Sequence, residues 1–109
     1  MQRLPKRLVD GSQLTAAAAT YYTAPTATST TISACTLTNT TAGAVNCTLY
    51  LVPSGGTAGA ANCILSARAI AIGESYNVSS AIGQTLAAGG TIQGLGLNVT
   101  LVASGYETV

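Results

Sequence analysis

An all-β fold is predicted, an antiparallel β-sandwich of jelly-roll or immunoglobulin-like type with about six to eight short strands. Three observations carry this. Thr, Val and Ile recur throughout the chain, and these β-branched residues suit a pleated surface better than a helix. Apolar and polar residues alternate at period two in several runs, most clearly over Val45–Val52. Turn signals rich in Gly, Pro, Asn and Ser separate these runs at intervals of about 8 to 12 residues. The 109 residues suffice for one domain and not for two. With no Phe and no Trp, the core must be aliphatic, with Tyr at its edges.

The elements follow in chain order. Residues 1–10 carry Arg3, Lys6, Arg7 and Pro5 and differ in composition from the rest, so they read as a basic, extended N-terminal arm; residues 11–109 form the sandwich domain. Residues 14–23 are rich in Ala, which favours a helix, but the Tyr21-Tyr22 pair and Pro25 argue for an extended edge segment. Ser29–Asn39 is a strand with Cys35 and Leu37 on one face, ended by a turn over residues 39–43. In Val45–Val52, Val45, Cys47, Leu49 and Leu51 point one way, and Asn46, Thr48, Tyr50 and Val52 the other. Residues 53–62 are a long Gly- and Ala-rich loop.

Residues 63–72 form a strand with apolar residues on both faces, and so one expected to be covered on both sides. Gly73 to Ser75 make a turn and residues 76–78 a short extended piece. Ser79 or Ser80 is placed to cap one or two helical turns over residues 81–86, ended by Gly89-Gly90. Residues 91–97 and 98–106 are the final strands, with Val99, Leu101 and Ala103 sharing one face. Gly94 and Gly96 predict a bulge or a close backbone approach.

Charge separates the function classes. Only 6% of residues are charged, and Arg3, Lys6, Arg7 and Asp10 all lie in the first ten, leaving Arg68, Glu74 and Glu107 for the remainder. Soluble monomers usually carry a mixed charged surface, so a neutral surface of Thr, Ser, Asn, Gly and Ala points to one covered by neighbours. No apolar run approaches the roughly 20 residues of a spanning helix, so no membrane partner is expected. Asp10, Gly11, Ser12 and Gln13 interrupt the start where a signal peptide would need its apolar core, so none is expected.

The absence of His removes His-dependent triads and most zinc sites. The three carboxylates Asp10, Glu74 and Glu107 fall in separate segments, so no catalytic pair is indicated. The loop at residues 55–61 lacks the Lys-Ser/Thr ending of a phosphate-binding loop. Three basic residues without an aromatic platform are too few for nucleic acid. No enzyme activity and no cofactor are expected. Cys35, Cys47 and Cys63 are odd in number and lack C-x-x-C spacing, so they read as reduced, buried thiols, with a Cys35–Cys47 bridge as the alternative. Four Asn-x-Ser/Thr sequons, at Asn39, Asn46, Asn77 and Asn98, follow from a composition rich in Thr and Ser.

The string Leu51-Val-Pro-Ser-Gly-Gly-Thr-Ala-Gly-Ala-Ala-Asn62, with Ile64-Leu-Ser-Ala-Arg68 and Ile70-Ala-Ile-Gly-Glu-Ser-Tyr76, resembles a group of small structural proteins of tailed-bacteriophage virions. Ile82-Gly-Gln-Thr-Leu-Ala-Ala-Gly-Gly-Thr-Ile-Gln93, Lys6-Arg-Leu-Val-Asp-Gly11 and Leu14-Thr-Ala-Ala-Ala-Ala-Thr-Tyr-Tyr22 extend the likeness over most of the chain. The resemblance implies a virion component made in the host cytoplasm, and it carries no catalytic residues. A capsid decoration or cement protein fits best, bound outside the major capsid protein shell as a homo-oligomer, a trimer rather than a dimer by analogy. A receptor- or carbohydrate-binding module of tail, collar or fibre is the alternative. The arm is the expected partner contact, through Arg3, Lys6, Arg7, Leu8 and Val9, and its removal is expected to leave the β-domain folded.

Overall fold

Period-two alternation fixes which side chains turn inward along each strand. The computed structural model describes residues 3–109, with nine strands among them. These are β1 (Arg3–Gln13), β2 (Ala19–Thr23), β3 (Ser29–Asn39), β4 (Val45–Val52), β5 (Cys63–Ile70), β6 (Ser75–Asn77), β7 (Thr85–Leu86), β8 (Thr91–Leu95) and β9 (Val99–Thr108). One sheet runs β1-β9-β3-β6, with β7 also on β3; the other runs β2-β8-β4-β5. Every pairing is antiparallel. The pairs nest, β1 with β9, β2 with β8, β3 with β6 and β7, β4 with β5, as though one long hairpin had been rolled up. That is the jelly-roll winding.

The core lies between the sheets. Leu37, Cys47, Leu49, Ile70, Val78, Val99 and Leu101 are completely buried there. β9 supplies Val99, Leu101 and Ala103 to it and shows Thr100, Val102 and Ser104 on the outer face. Gly94 and Gly96 are close approaches, as their sequence context predicts. A Cβ on Gly94 would stand 2.6 Å from Leu49 Cδ2, and one on Gly96 2.6 Å from Cys47 Sγ.

Several expectations need correction. Residues 3–10 are not a free arm: they are most of β1, paired with β9 from Arg3 opposite Thr108 onward. The strand crosses the expected boundary at residue 10. Pro5 is tolerated because β1 is an end strand, where a missing N–H costs no ladder bond. Of residues 14–23, only Ala19–Thr23 form a strand, at the edge of the second sheet. The helical turn is a single 3-10 turn at Ser79–Ala81, after which the chain pairs with β3 as β7.

β5 is covered on one side at most, since Ser66, Ala67, Arg68 and Ala69 are exposed. It is an end strand, and two irregularities in its pairing with β4, the first at Ala67 with φ +45°, break its regular edge. Alanine is small enough to leave such a face in water without much loss. Val52 sits on the outward face of β4 and is nonetheless buried, because the following loop turns back over it at Gly56.

Candidate functional site

Of the five residues expected to contact a partner, three stand outside and two do not. Leu8 and Val9 both belong to the core. Successive strand residues normally face opposite ways, but a bulge lies here: Arg7 opposes Ser104 and Val9 opposes Ala103, leaving Leu8 as the extra residue. Their apolar contact is therefore made within the chain, which removes them from the partner surface.

Arg3, Lys6 and Arg7 lie on the exposed first half of β1, and each meets a group of its own chain. The Arg3 guanidinium stacks 4.7 Å from the Tyr106 ring centre, Lys6 Nζ is 3.4 Å from Glu107 Oε2, and Arg7 is 3.4 Å from Asp10 Oδ1. The Arg3 and Arg7 contacts are exposed and worth about 1 kcal/mol or less each, whereas Lys6 reaches inward to a buried carboxylate.

Behind Lys6 lies a cluster that the sequence reading did not find. Tyr22 Oη donates to Glu107 Oε2 at 2.6 Å and lies 2.8 Å from Thr30 Oγ1, so β2 of one sheet is tied to β9 and β3 of the other. Glu107 is only 8% exposed, which makes it a buried carboxylate held by a hydroxyl and an ammonium. Burial, and then the hydrogen bond to Glu107, push the Tyr22 hydroxyl up to about 12. The signal was present: the inward period of Val99, Leu101 and Ala103 continues through Gly105 to Glu107.

At the same end of the sandwich the sheets part over a cleft of about 490 Å³. Leu51 and Ile64 from one sheet and Leu86 from the other line it, with Ser54, Asn62 and Gln84 among its polar groups. The loop wall is preformed, since Asn62 accepts from Gly59 N–H at 3.0 Å and donates to Thr57 O at 2.9 Å. Cys63 reaches this cleft and is half-buried, not buried as expected, because it opens an end strand. All three thiols are free. Cys35 and Cys47 are buried, and burial pushes Cys35 up to about 11 and raises Cys47.

Asn39, the first sequon, has its amide fully engaged: it donates to Gly43 O and Ile70 O and accepts from Thr41. It closes the β3–β4 turn. Arg68 lies 4.3 Å from the Tyr76 ring centre, a stacking contact that bridges the two sheets at their open side. Among the described residues no group of three or more His, Cys, Asp or Glu stands close enough to hold a metal ion. Among the described residues no helix is long and apolar enough to cross a membrane. No family model, curated protein or solved structure matches this chain.

Proposed function

We propose that this protein is a non-enzymatic structural subunit of a tailed-phage virion, a decoration or cement protein that binds the outside of the major capsid shell as a homo-oligomer. The observation that carries the reading is the uncharged outer face of β9 and β3, the two central strands of their sheet, beside the charged end strand β1. Thr36, Thr38, Thr100, Val102 and Ser104 are half-buried outward positions of these two strands. A face of this kind keeps water but offers no charge repulsion, and it suits a neighbour of equal neutrality. The resemblance over Leu51 to Gln93 points the same way. Jelly rolls are common among viral capsid proteins, an analogy of fold only.

The cleft favours a second reading. Jelly rolls also serve as lectins, and a cleft of about 490 Å³ lined by Ser54, Asn62 and Gln84 has the size and neutrality of a sugar site. Such a protein is a receptor-binding module of tail, collar or fibre. Copy number separates the two. Mass spectrometry of purified particles, scaled to the major capsid protein, is expected to give copies in the hundreds. A handful favours the tail module, and none at all removes both.

A further inference from the structure

We infer that the first half of β1 is an exchangeable strand, which pairs with β9 of its own chain when the protein is dilute and with β9 of a second copy when copies are packed together. The inference deepens the oligomeric reading above by naming the contact, and it rests on that reading for its biological setting only.

Arg3 to Arg7 are five consecutive exposed residues. They pair with β9 over Ser104 to Thr108, and outside that ladder they are held by Arg3 on Tyr106 and Arg7 on Asp10 at the surface and by half-exposed Lys6 on the buried Glu107, which Tyr22 also holds. The apolar anchor starts only at Leu8 and Val9. Releasing the segment therefore uncovers no core side chain of that segment.

The point of release is already irregular. A register shift falls between Arg7 and Val9, with Leu8 as the extra residue. The ladder is locally broken at such a bulge, so the chain leaves it there at small cost. Pro5 holds φ near its extended value and keeps the released segment preorganised for pairing.

A swapped strand makes the same contacts in its new host as in its old one. Exchange therefore needs no new complementary surface, only proximity. Intrachain pairing acts at an effective concentration on the order of millimolar, so exchange is rare in dilute solution and favoured where copies are crowded on a lattice. Five residues span about 16 Å, which sets how near the neighbouring β9 must lie.

Arg3 stands opposite Thr108, and this supplies the test. Two variants, Arg3→Cys and Thr108→Cys, each in a Cys63→Ser background, are mixed in equal amounts and oxidised at 10 µM and at 1 mM. Mass spectrometry is expected to show a disulfide between the two variants that rises at least tenfold in yield with concentration. It should exceed that of an Arg3→Cys and Thr40→Cys control pair, whose sites lie at opposite ends of the sandwich. A yield equal to that control at both concentrations overturns the inference. The double variant Arg3→Cys/Thr108→Cys should close intramolecularly at 10 µM, which verifies the register and the fold independently. Because purified protein is used, failure here leaves the copy-number result on particles untouched.

Discussion

Tyr22 and Cys35 show how single buried groups make this fold sensitive to alkali. Tyr22 lies against Glu107, and Cys35 is nine-tenths or more covered by the core of the β1-β9-β3-β6 sheet. In both the folded state favours the protonated form, so the folded pKa exceeds the unfolded one. The stabilisation is complete below the unfolded values near 9 and 10 and is lost as pH rises through about 11 for Cys35 and about 12 for Tyr22. For Cys35 a shift from 9 to about 11 corresponds to roughly 2 to 3 kcal/mol. We expect the urea midpoint to be level between pH 7 and 8.5 and to fall steadily above pH 9, and Cys35→Ala to flatten the slope between pH 9 and 11. An unchanged slope in that variant would show that Cys35 is not the group responsible.

At the scale of the element, the most tightly enclosed glycine lies where β9 pairs with β3. A Cβ on Gly105 would collide with the carbonyl oxygen of Thr31, which is backbone and has nowhere to go. Gly105→Ala should therefore cost at least the upper part of the range of about 1 to 3 kcal/mol usual for overpacking, read as a drop in urea midpoint. Gly43→Ala, in open space within the β3–β4 turn, serves as the comparison and should change stability by less than about 1 kcal/mol. The sequence already separates a turn glycine from a strand glycine. What it does not give is the Thr31 carbonyl against Gly105, which follows only from the pairing of strands more than 70 residues apart.

At the scale of the whole molecule, β1 closes the rolled hairpin and carries two core side chains with it. Deleting residues 1–9 removes Leu8 and Val9 and exposes the edge of β9. The sequence-based expectation of an intact domain is therefore replaced by its opposite. Losing either buried aliphatic side chain costs about 1 to 5 kcal/mol, and a small domain holds only about 5 to 15 in all. The truncated chain should unfold at markedly lower urea or precipitate, whereas deletion of residues 1–4 should leave circular dichroism and midpoint nearly unchanged. If the longer deletion proves as stable as the full chain, β1 is not part of the cooperative fold.

The sequence by itself determined the fold class and the strands whose alternation is cleanest. Ser29–Asn39 and Val45–Val52 are found at their expected limits. The close approaches at Gly94 and Gly96 were equally legible, because glycine between alternating apolar residues has a local steric meaning. The tertiary structure alone decided the rest. Period-two alternation says that a residue faces inward but not which strand it faces, so it fits jelly-roll and immunoglobulin-like windings equally well. The choice between them rests on pairings such as Arg3 with Thr108, which no local pattern encodes. The same is true of the candidate surface. Arg3, Lys6 and Arg7 are basic in any reading, but whether they are free depends on Tyr106, Glu107 and Asp10, and two of those three lie about a hundred residues away. Leu8 and Val9 could not both be placed inside by alternation, because a bulge breaks the period, and a bulge forms only when a partner strand is there to be out of step with.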